Sequence, residues 1–407
     1  MQAIQDTIGK GNVVPFTAAL AGDLSLFIDS VWSAGAALVQ SARERRAARA
    51  ADIAVASGED AIELVAPAWR SIESVAGGST AFQSLALAER AAEAHLRCGE
   101  IPRIIVVHEA GRPVVVFPTV ITRWSGIPTI RFLGDPLIQY GDAIVAPEAT
   151  AAHIEAAWRA AADPAAGKLI YLRKVRGDAR IAPVLARTMK VLAVHEAPYI
   201  DAHRPAAPCP RDARELRRFR RRLAEFGDPS FEILRGREAL GAVREAFDMK
   251  RGWLDARGLP SSVVGRSDWE HAILGLAARG ASTLQVARLA VGGRTAAIEI
   301  GLVDGGRWCA FLGATAPQFA KAGPGHVQME ETIAHCRRNG IAVYDLLSPA
   351  DAYKRTLAHD AVVVRDHAAA LSGAGWLGVL AARSVPILKD VAARMPTRLR
   401  RTIMSFR

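Results

Sequence analysis

The sequence predicts a two-lobed α/β (α+β) protein with mixed sheets flanked by helices, on three observations. Residues 285–354 spell a complete β–β–β–loop–helix–β unit. The chain between residues 103 and 190 repeats that order in outline. A segment carrying Pro205, Pro208 and Pro210 separates the two and reads as a linker.

In the later unit the three extended runs are joined by Gly292-Gly293 and Gly305-Gly306, dipeptides suited to the positive φ of tight hairpins. Ala322-Gly323-Pro324-Gly325-His326 then opens a helical pattern from Val327 to Arg338. Glycines at a helix start leave backbone N–H groups unpaired at the positive end of the helix dipole. Such a start accepts a pyrophosphate or a buried carboxylate. A strand ending in Tyr344-Asp345-Leu346-Leu347 follows, then a helix with Tyr353-Lys354.

The earlier unit begins with helices from Ile62 to Val75 and from Phe82 to Cys98. Strands are expected at Arg103–His108, Pro113–Thr122 and Thr129–Leu133, the first two joined at Gly111-Arg112. A helix over Ala149–Ala162, a strand over Lys168–Leu172 and a helix over Ile181–Lys190 complete it. Past the linker come a basic helix over Arg211–Phe226, a strand over Phe231–Leu234 and helices over Glu238–Arg257 and Asp268–Arg279.

The ends read differently. Residues 1–60 form a helical arm with a stripe of Leu24, Phe27, Ile28, Val31 and Trp32, then the run Arg43-Glu44-Arg45-Arg46. Residues 367–407 form a basic amphipathic tail. Its stripe of Trp376, Leu377, Leu380, Ile387, Leu388 and Val391 is broken by Pro386 and ends in Arg394, Arg398, Arg400 and Arg401. Such a tail suits an anionic membrane surface, and equally a helix packed on the domain with a solvated end. The expected organisation is an arm to residue 60, a first lobe over 61–203, a linker over 204–210, a second lobe over 211–366 and the tail.

With 407 residues, half of them apolar, the chain has core material for two domains. A formal net charge of +11 favours anionic partners, although arginine in an alanine-rich chain also follows from a GC-rich genome. Cys98, Cys209, Cys309 and Cys336 form no C-x-x-C pair, so reduced thiols are expected rather than a metal finger or disulfide framework. The N-terminus lacks the basic-then-apolar order of a signal peptide. The longest apolar stretch, Leu24 to Gln40, is interrupted by Asp29 and too short for a bilayer. A cytoplasmic protein is expected, peripheral to the inner membrane at most. No Gly-x-Ser-x-Gly elbow, Walker loop or His-Glu-x-x-His helix occurs, and no metal is expected.

A hairpin running into a Gly-x-Gly helix start, then a strand ending in an acid, resembles the acyl-CoA-binding half of the GNAT acetyltransferase fold. Ala322-Gly323-Pro324-Gly325-His326, Tyr344-Asp345-Leu346-Leu347 and Tyr353-Lys354 look more narrowly like the FemAB-related CelD/BcsL group. Phe117-Pro118, Phe132-Leu133-Gly134 and Tyr140-Gly141-Asp142 fit its first-domain strand ends, so the resemblance spans roughly Ala61 to Asp366. It implies two tandem GNAT-like lobes and an acetyl-CoA or other acyl-CoA co-substrate. Acyl transfer to an amine or hydroxyl of a cell-envelope or exopolysaccharide acceptor would follow. By motif, Gly323, Gly325, His326 and Val327 take the pyrophosphate, although Pro324 removes one donor and Lys321 stands where many members carry Arg or Gln.

Glu299 is an acid inside the apolar run Ala296-Ala297-Ile298-Glu299-Ile300. Burial would raise its pKa towards the range of a general base, and an arginine pair or solvent would also explain it. Asp345 is a second catalytic candidate or a hydrogen-bonding residue. Tyr353 would protonate the leaving thiolate or position the acyl donor, and Lys354 would neutralise phosphate or a substrate carboxylate, with packing and surface charge as the competing explanations. Tyr140 and Asp142 are candidates for acceptor binding between the lobes, with an Asx turn as the alternative for Asp142. Arg217, Arg218, Arg220, Arg221 and Arg222 suit an anionic acceptor or a solvated surface. Two rival readings stand beside acyl-CoA transfer. One is a non-catalytic partner of a polysaccharide synthase complex; the other is FemAB-like aminoacyl transfer from charged tRNA, although nucleic acid is not the expected partner.

Overall fold

The computed structural model describes residues 51–77, 80–204, 210–259, 261–280 and 283–394. The chain opens with β1 (Ala51–Ser57), α1 (Ala61–Glu73) and α2 (Leu85–Arg97). Then come β2 (Ile101–Glu109), β3 (Arg112–Trp124), β4 (Ile127–Phe132) and the short β5 (Ile144–Val145). α3 (Ala151–Ala161), β6 (Leu169–Arg176), α4 (Ala182–Thr188) and β7 (Lys190–Asp201) close the first half. The second half runs α5 (Pro210–Ala224), β8 (Pro229–Arg235), α6 (Ala239–Arg257), α7 (Ser267–Ala278), β9 (Leu284–Val291), β10 (Arg294–Asp304) and β11 (Arg307–Thr315). It ends in α8 (Pro324–Arg338), β12 (Val343–Asp345), α9 (Ala352–Leu357), β13 (Asp360–Ala370) and α10 (Gly373–Arg394).

Local chemistry accounts for most of these elements. On α1 the buried residues Ile62, Val65, Ala66, Trp69 and Ile72 recur at helical spacing and face the sheet. Each fully buried large side chain among them contributes about 1.5–3 kcal/mol. Ahead of α2, Thr80 and Gln83 form a reciprocal capping box. Gln83 also reaches across to the Tyr140 carbonyl at 2.8 Å. Gly292-Gly293 and Gly305-Gly306 both take positive φ, as two-residue hairpin turns require. The β2–β3 turn is centred on Ala110-Gly111 (φ 50° and 76°), one residue earlier than Gly111-Arg112.

Among the described residues all thirteen strands join one mixed sheet, in the order β1-β2-β3-β4-β6-β13-β7-β12-β11-β10-β9-β8, with β5 beside β3. The two lobes therefore share a sheet. β7 pairs antiparallel with β12 of the second lobe. β13, which follows the second lobe in sequence, lies antiparallel between β6 and β7 of the first. The expected lobe–tail boundary at residue 366 thus falls inside a central strand. Similarly, the expected arm to residue 60 includes β1, which pairs along its length with β2. Residues 1–50 and most of the linker, 205–209, lie outside the described residues. The same holds for Cys209 and the arginines after residue 394.

The start of the expected tail packs on the sheet. Val379 and Ala382 of α10 lie against Leu169, Tyr171 and Ala368. Gly375 permits the approach, since a Cβ there would run into the Lys168 carbonyl oxygen. The opposite side of α10 exposes Trp376, Leu377 and Leu380, with the Lys190 ammonium 4.7 Å from the centre of the Trp376 ring. Among the described residues no helix is long and apolar enough to cross a membrane.

Candidate active site

The site begins where the sheet opens. β11 and β12 run parallel and pair only over Arg307–Cys309 and Val343–Asp345. β11 continues to Thr315, while Leu346 turns away to follow β7, its N–H donating to the Pro198 carbonyl at 2.9 Å. From Ala310 onwards β11 therefore borders a gap rather than a strand. Pairing with β10 shifts there too: Ile300 faces Leu312 and Gly301 faces Ala310, leaving Phe311 as a bulge. Bulges disrupt the ladder and re-aim backbone and side chains beside functional sites. The gap is a cleft of about 540 Å³.

Glu299 lies in the cleft wall and is nearly fully buried. The Trp308 indole N–H donates to one of its oxygens at 2.8 Å, and the Tyr344 hydroxyl donates to the other at 2.7 Å. Burial pushes its pKa up to about 7, against the opposing pull of those hydrogen bonds and of Lys354. Gly301 makes the arrangement possible. A Cβ there would collide with the Trp308 ring, so only glycine lets the indole lie against the strand and reach Glu299.

One end of the cleft is the start of α8. Gly323 caps the helix in the left-handed region (φ 64°), and Pro324 occupies its first turn without an N–H to offer. A Cβ on Gly323 would lie 2.6 Å from the Phe219 ring of α5, and one on Gly325 would lie 3.3 Å from Thr315 Cγ2. Phe219 also packs on the His326 ring, with centroids 5.3 Å apart. The His326 N–H already bonds the Gly323 carbonyl at 3.2 Å, while Gly325 lines the cleft. Val327 is buried below the loop in a cluster with Leu223, Phe319 and Ala322.

Tyr353 and Lys354 line the same cleft from α9, Tyr353 half exposed and Lys354 buried. The Lys354 ammonium donates to the Leu347 carbonyl at 3.1 Å, and burial lowers its pKa. Opposite, α6 contributes Lys250 and Trp253. The sequence places both on a helix but suggests no role for them. The sequence suggests no role for Trp308 or Gly301 either, and marks Tyr344 only as part of a motif. A glycine two residues after the buried acid was a usable signal.

Three expected site residues lie elsewhere. Asp345 is absent from the cleft wall and almost wholly buried. Its carboxylate accepts from the Tyr140 hydroxyl (2.8 Å), the Leu347 N–H (2.9 Å) and Arg307 (2.7 Å), with Arg176 at 3.6 Å. That is a tie between lobes. Tyr140 spends its hydroxyl on this bond. Asp142 accepts the N–H groups of Ala143, Arg180 and Ile181 and so fixes the lead into α4; burial raises its pKa to about 6. Neither Tyr140 nor Asp142 lines the cleft.

The first lobe has a matching opening, which its own chain fills. β4 and β6 run parallel over Thr129–Ile130 and Leu169–Ile170. Beyond that point Asp135 is gripped by Arg131 of β4 and Arg173 of β6, so a carboxylate from the connecting loop occupies the gap. The two guanidinium groups hold the Asp135 pKa well below the usual carboxylate range in spite of burial.

Comparison with known proteins agrees with this geometry. Residues 211–355 match a family described as an acetyltransferase (GNAT) domain. That segment holds the cleft, the α8 start and the α9 tyrosine and lysine. No curated protein matches the chain. Among solved structures, it is similar to the C-terminal domain of a provisionally named lysylphosphatidylglycerol synthetase from Agrobacterium fabrum. The identity is 14%, the TM-score 0.51, and the match covers 80% of this chain and 96% of that one. It also matches FemX (12% identity, 69% and 90% covered, TM-score 0.45). A tandem GNAT protein from the clavulanic acid biosynthesis pathway matches as well (11% identity, 79% and 99% covered, TM-score 0.44). At these identities the likeness is one of fold. The protein is thus a mixed α/β chain of GNAT-type acyltransferase fold.

Proposed function

We propose that the protein transfers an acetyl or other acyl group from an acyl-CoA to an amine or hydroxyl acceptor, the chemistry of the CelD/BcsL-like group. The observation that carries this reading is Glu299, a buried carboxylate with a pKa of about 7, in the wall of the cleft where β11 and β12 part. A base poised near neutrality takes an acceptor proton without being permanently ionised. The Gly325 N–H and the positive end of α8 supply the anion end for a CoA pyrophosphate, the Gly323 and His326 N–H groups being bonded to the Ala320 and Gly323 carbonyls. Backbone N–H groups of β11 around the Phe311 bulge polarise the thioester carbonyl, Tyr353 protonates the leaving thiolate, and Lys354 offsets charge in the cleft. Asp345 and Tyr140 act by holding the lobes in register, and Asp142 by fixing the lead into α4.

This arrangement favours an enzyme over a non-catalytic partner of a polysaccharide synthase. An acceptor linked to the cell envelope or an exopolysaccharide is supported by the net charge and by the apolar Trp376, Leu377 and Leu380 face, which suits contact with an anionic membrane. A second reading, aminoacyl transfer from charged tRNA, draws on α5, which packs on α8 and exposes Arg214, Arg217, Arg218 and Arg221. Calorimetry separates the two. Saturable acetyl-CoA binding supports the first reading. No binding at millimolar donor together with a steeply salt-dependent tRNA affinity would replace it with the second.

A further inference from the structure

The α6 side of the cleft carries a feature to which the acyl-donor reading gives no role. Trp253 of α6 is partly exposed, and two cations lie over its indole: the Arg257 guanidinium at 4.1 Å and the Lys250 ammonium at 4.8 Å from the ring centre. Lys250 and Trp253 line the cleft. The polar bonds of the two cations are to backbone carbonyls, Lys250 to Gly313 at 3.2 Å and Arg257 to Trp253 at 3.5 Å. Among the described residues neither has a carboxylate within ion-pair distance. Lys354 faces the same space, also with only a carbonyl partner, and is close enough for each lysine's charge to be felt by the other.

Two cations over one aromatic ring, with Lys354 facing the same space and Asp351 as a cleft carboxylate that ion-pairs with none of the three, leave excess positive charge at this wall. Lys250 is part-buried, and an ammonium held there without an ion pair carries a desolvation cost that a structural role would normally offset with an acid; Arg257 adds an exposed charge beside it. The Lys250 pKa is lowered, first by burial, with Asp351 opposing and Arg257 adding to the fall. An arriving anion would relieve that cost, and the exposed edge of the Trp253 indole would lie against a ring of the same ligand. The position is also suited to acceptor binding. Lys250 bonds the β11 edge at Gly313, whose cross-strand partner on β10 is Glu299, while the α8 start closes the other end of the cleft.

We infer that Lys250, Trp253 and Arg257 form an acceptor subsite, and that the acceptor is an amine or hydroxyl compound bearing a phosphate or carboxylate beside a ring such as a sugar. This rests on the acyl-transfer reading of the cleft. The anion would lie over Lys250 and Arg257, the ring on Trp253, and the nucleophile would point towards Glu299.

The test compares three amino sugars by calorimetry on protein saturated with CoA, which occupies the other anion site: glucosamine, glucosamine 6-phosphate and muramic acid. Tighter binding of one or both charged sugars than of glucosamine, by about tenfold or more, is expected. The better ligand identifies phosphate or carboxylate as the preferred group. In the double variant Lys250→Met/Arg257→Met that preference should vanish while CoA affinity stays within about twofold. Equal binding of all three sugars, binding of none at millimolar concentration, or a preference that survives the double variant would overturn the subsite. If CoA itself fails to bind, the donor reading falls, and the same comparison on ligand-free protein decides the subsite.

Discussion

The Tyr140 hydroxyl, in the first lobe, donates a 2.8 Å hydrogen bond to the Asp345 carboxylate in the second. The bond spans 205 residues of chain and sits in a buried cluster with Arg176 of the first lobe and Arg307 of the second. Arg176 also lies over the Tyr140 ring at 4.8 Å. Desolvation and the neighbouring Asp345 charge raise the tyrosine pKa well above its ordinary value, so Tyr140 acts as a donor throughout the physiological range.

Removing the acid from this cluster leaves the part-buried Arg307 without its ion-pair partner and the buried Tyr140 hydroxyl and Leu347 N–H without an acceptor, while Arg176 keeps Asp178. Asp345→Ala should therefore cost about 3–5 kcal/mol, and Tyr140→Phe, which removes one donor, about 1 kcal/mol. Urea unfolding of the two variants checks this. An Asp345→Ala protein as stable as wild type would mean that the lobes are held by other contacts.

Glu299 makes stability depend on pH in a definite direction. Its folded pKa of about 7 lies above the ordinary 4.5, so between those values the folded chain retains a proton that the unfolded chain has lost. The stabilisation it gives is full below pH 4.5 and falls as pH rises to about 7, on the order of 3 kcal/mol in all. Glu299→Gln should lack this component, so the variant gains on wild type as pH rises through that window. Parallel stability curves for the two proteins across it would contradict the buried, protonated carboxyl.

Gly323 is fixed by both backbone and neighbours. Alanine there would hold a left-handed φ, costing about 1–2 kcal/mol, and would push into the Phe219 ring. Gly323→Ala should raise KM for the acyl donor more than it lowers kcat, because the α8 start is moved and Glu299 is not. Gly325→Ala, facing Thr315 Cγ2 at 3.3 Å, should show a smaller effect. A Gly323→Ala enzyme with unchanged donor KM would remove this loop from donor binding.

The outer face of α10 predicts sedimentation with vesicles containing phosphatidylglycerol. Binding should weaken as salt is raised and be lost when Trp376, Leu377 and Leu380 are all changed to serine. Equal binding of that triple variant would place any membrane contact elsewhere.

Much of the fold is legible in the sequence because it is written locally. Glycine pairs mark both hairpins of the second lobe, helical spacing marks α1, and an acid in an apolar strand marks Glu299. What escapes the sequence depends on distant partners. β7 and β13 pair far along the chain, Lys190 facing Ala368 and Tyr199 facing Asp360, and β7 exposes much of one face, so it shows no clean apolar alternation. Asp345 reads as a cleft acid from its position at a strand end beside Tyr344. Of the two, only Tyr344 lines the cleft; Tyr140 and Arg176 meet Asp345 only once the lobes are joined. Lys250 and Trp253 stay hidden on α6 for the same reason: nothing in a helical pattern shows which face meets a gap between strands.

The most direct test of the account is the pH dependence of acetyl transfer from acetyl-CoA to an amine acceptor, measured for wild type and Glu299→Gln. The base must be unprotonated to act, so wild-type kcat/KM should rise about tenfold per pH unit below about pH 7 and level off above it. Glu299→Gln should lower turnover by about 10²–10⁴-fold and abolish that rise, while acetyl-CoA binds as before. Turnover in the variant equal to wild type, with the same pH profile, would contradict Glu299 as the base of this cleft.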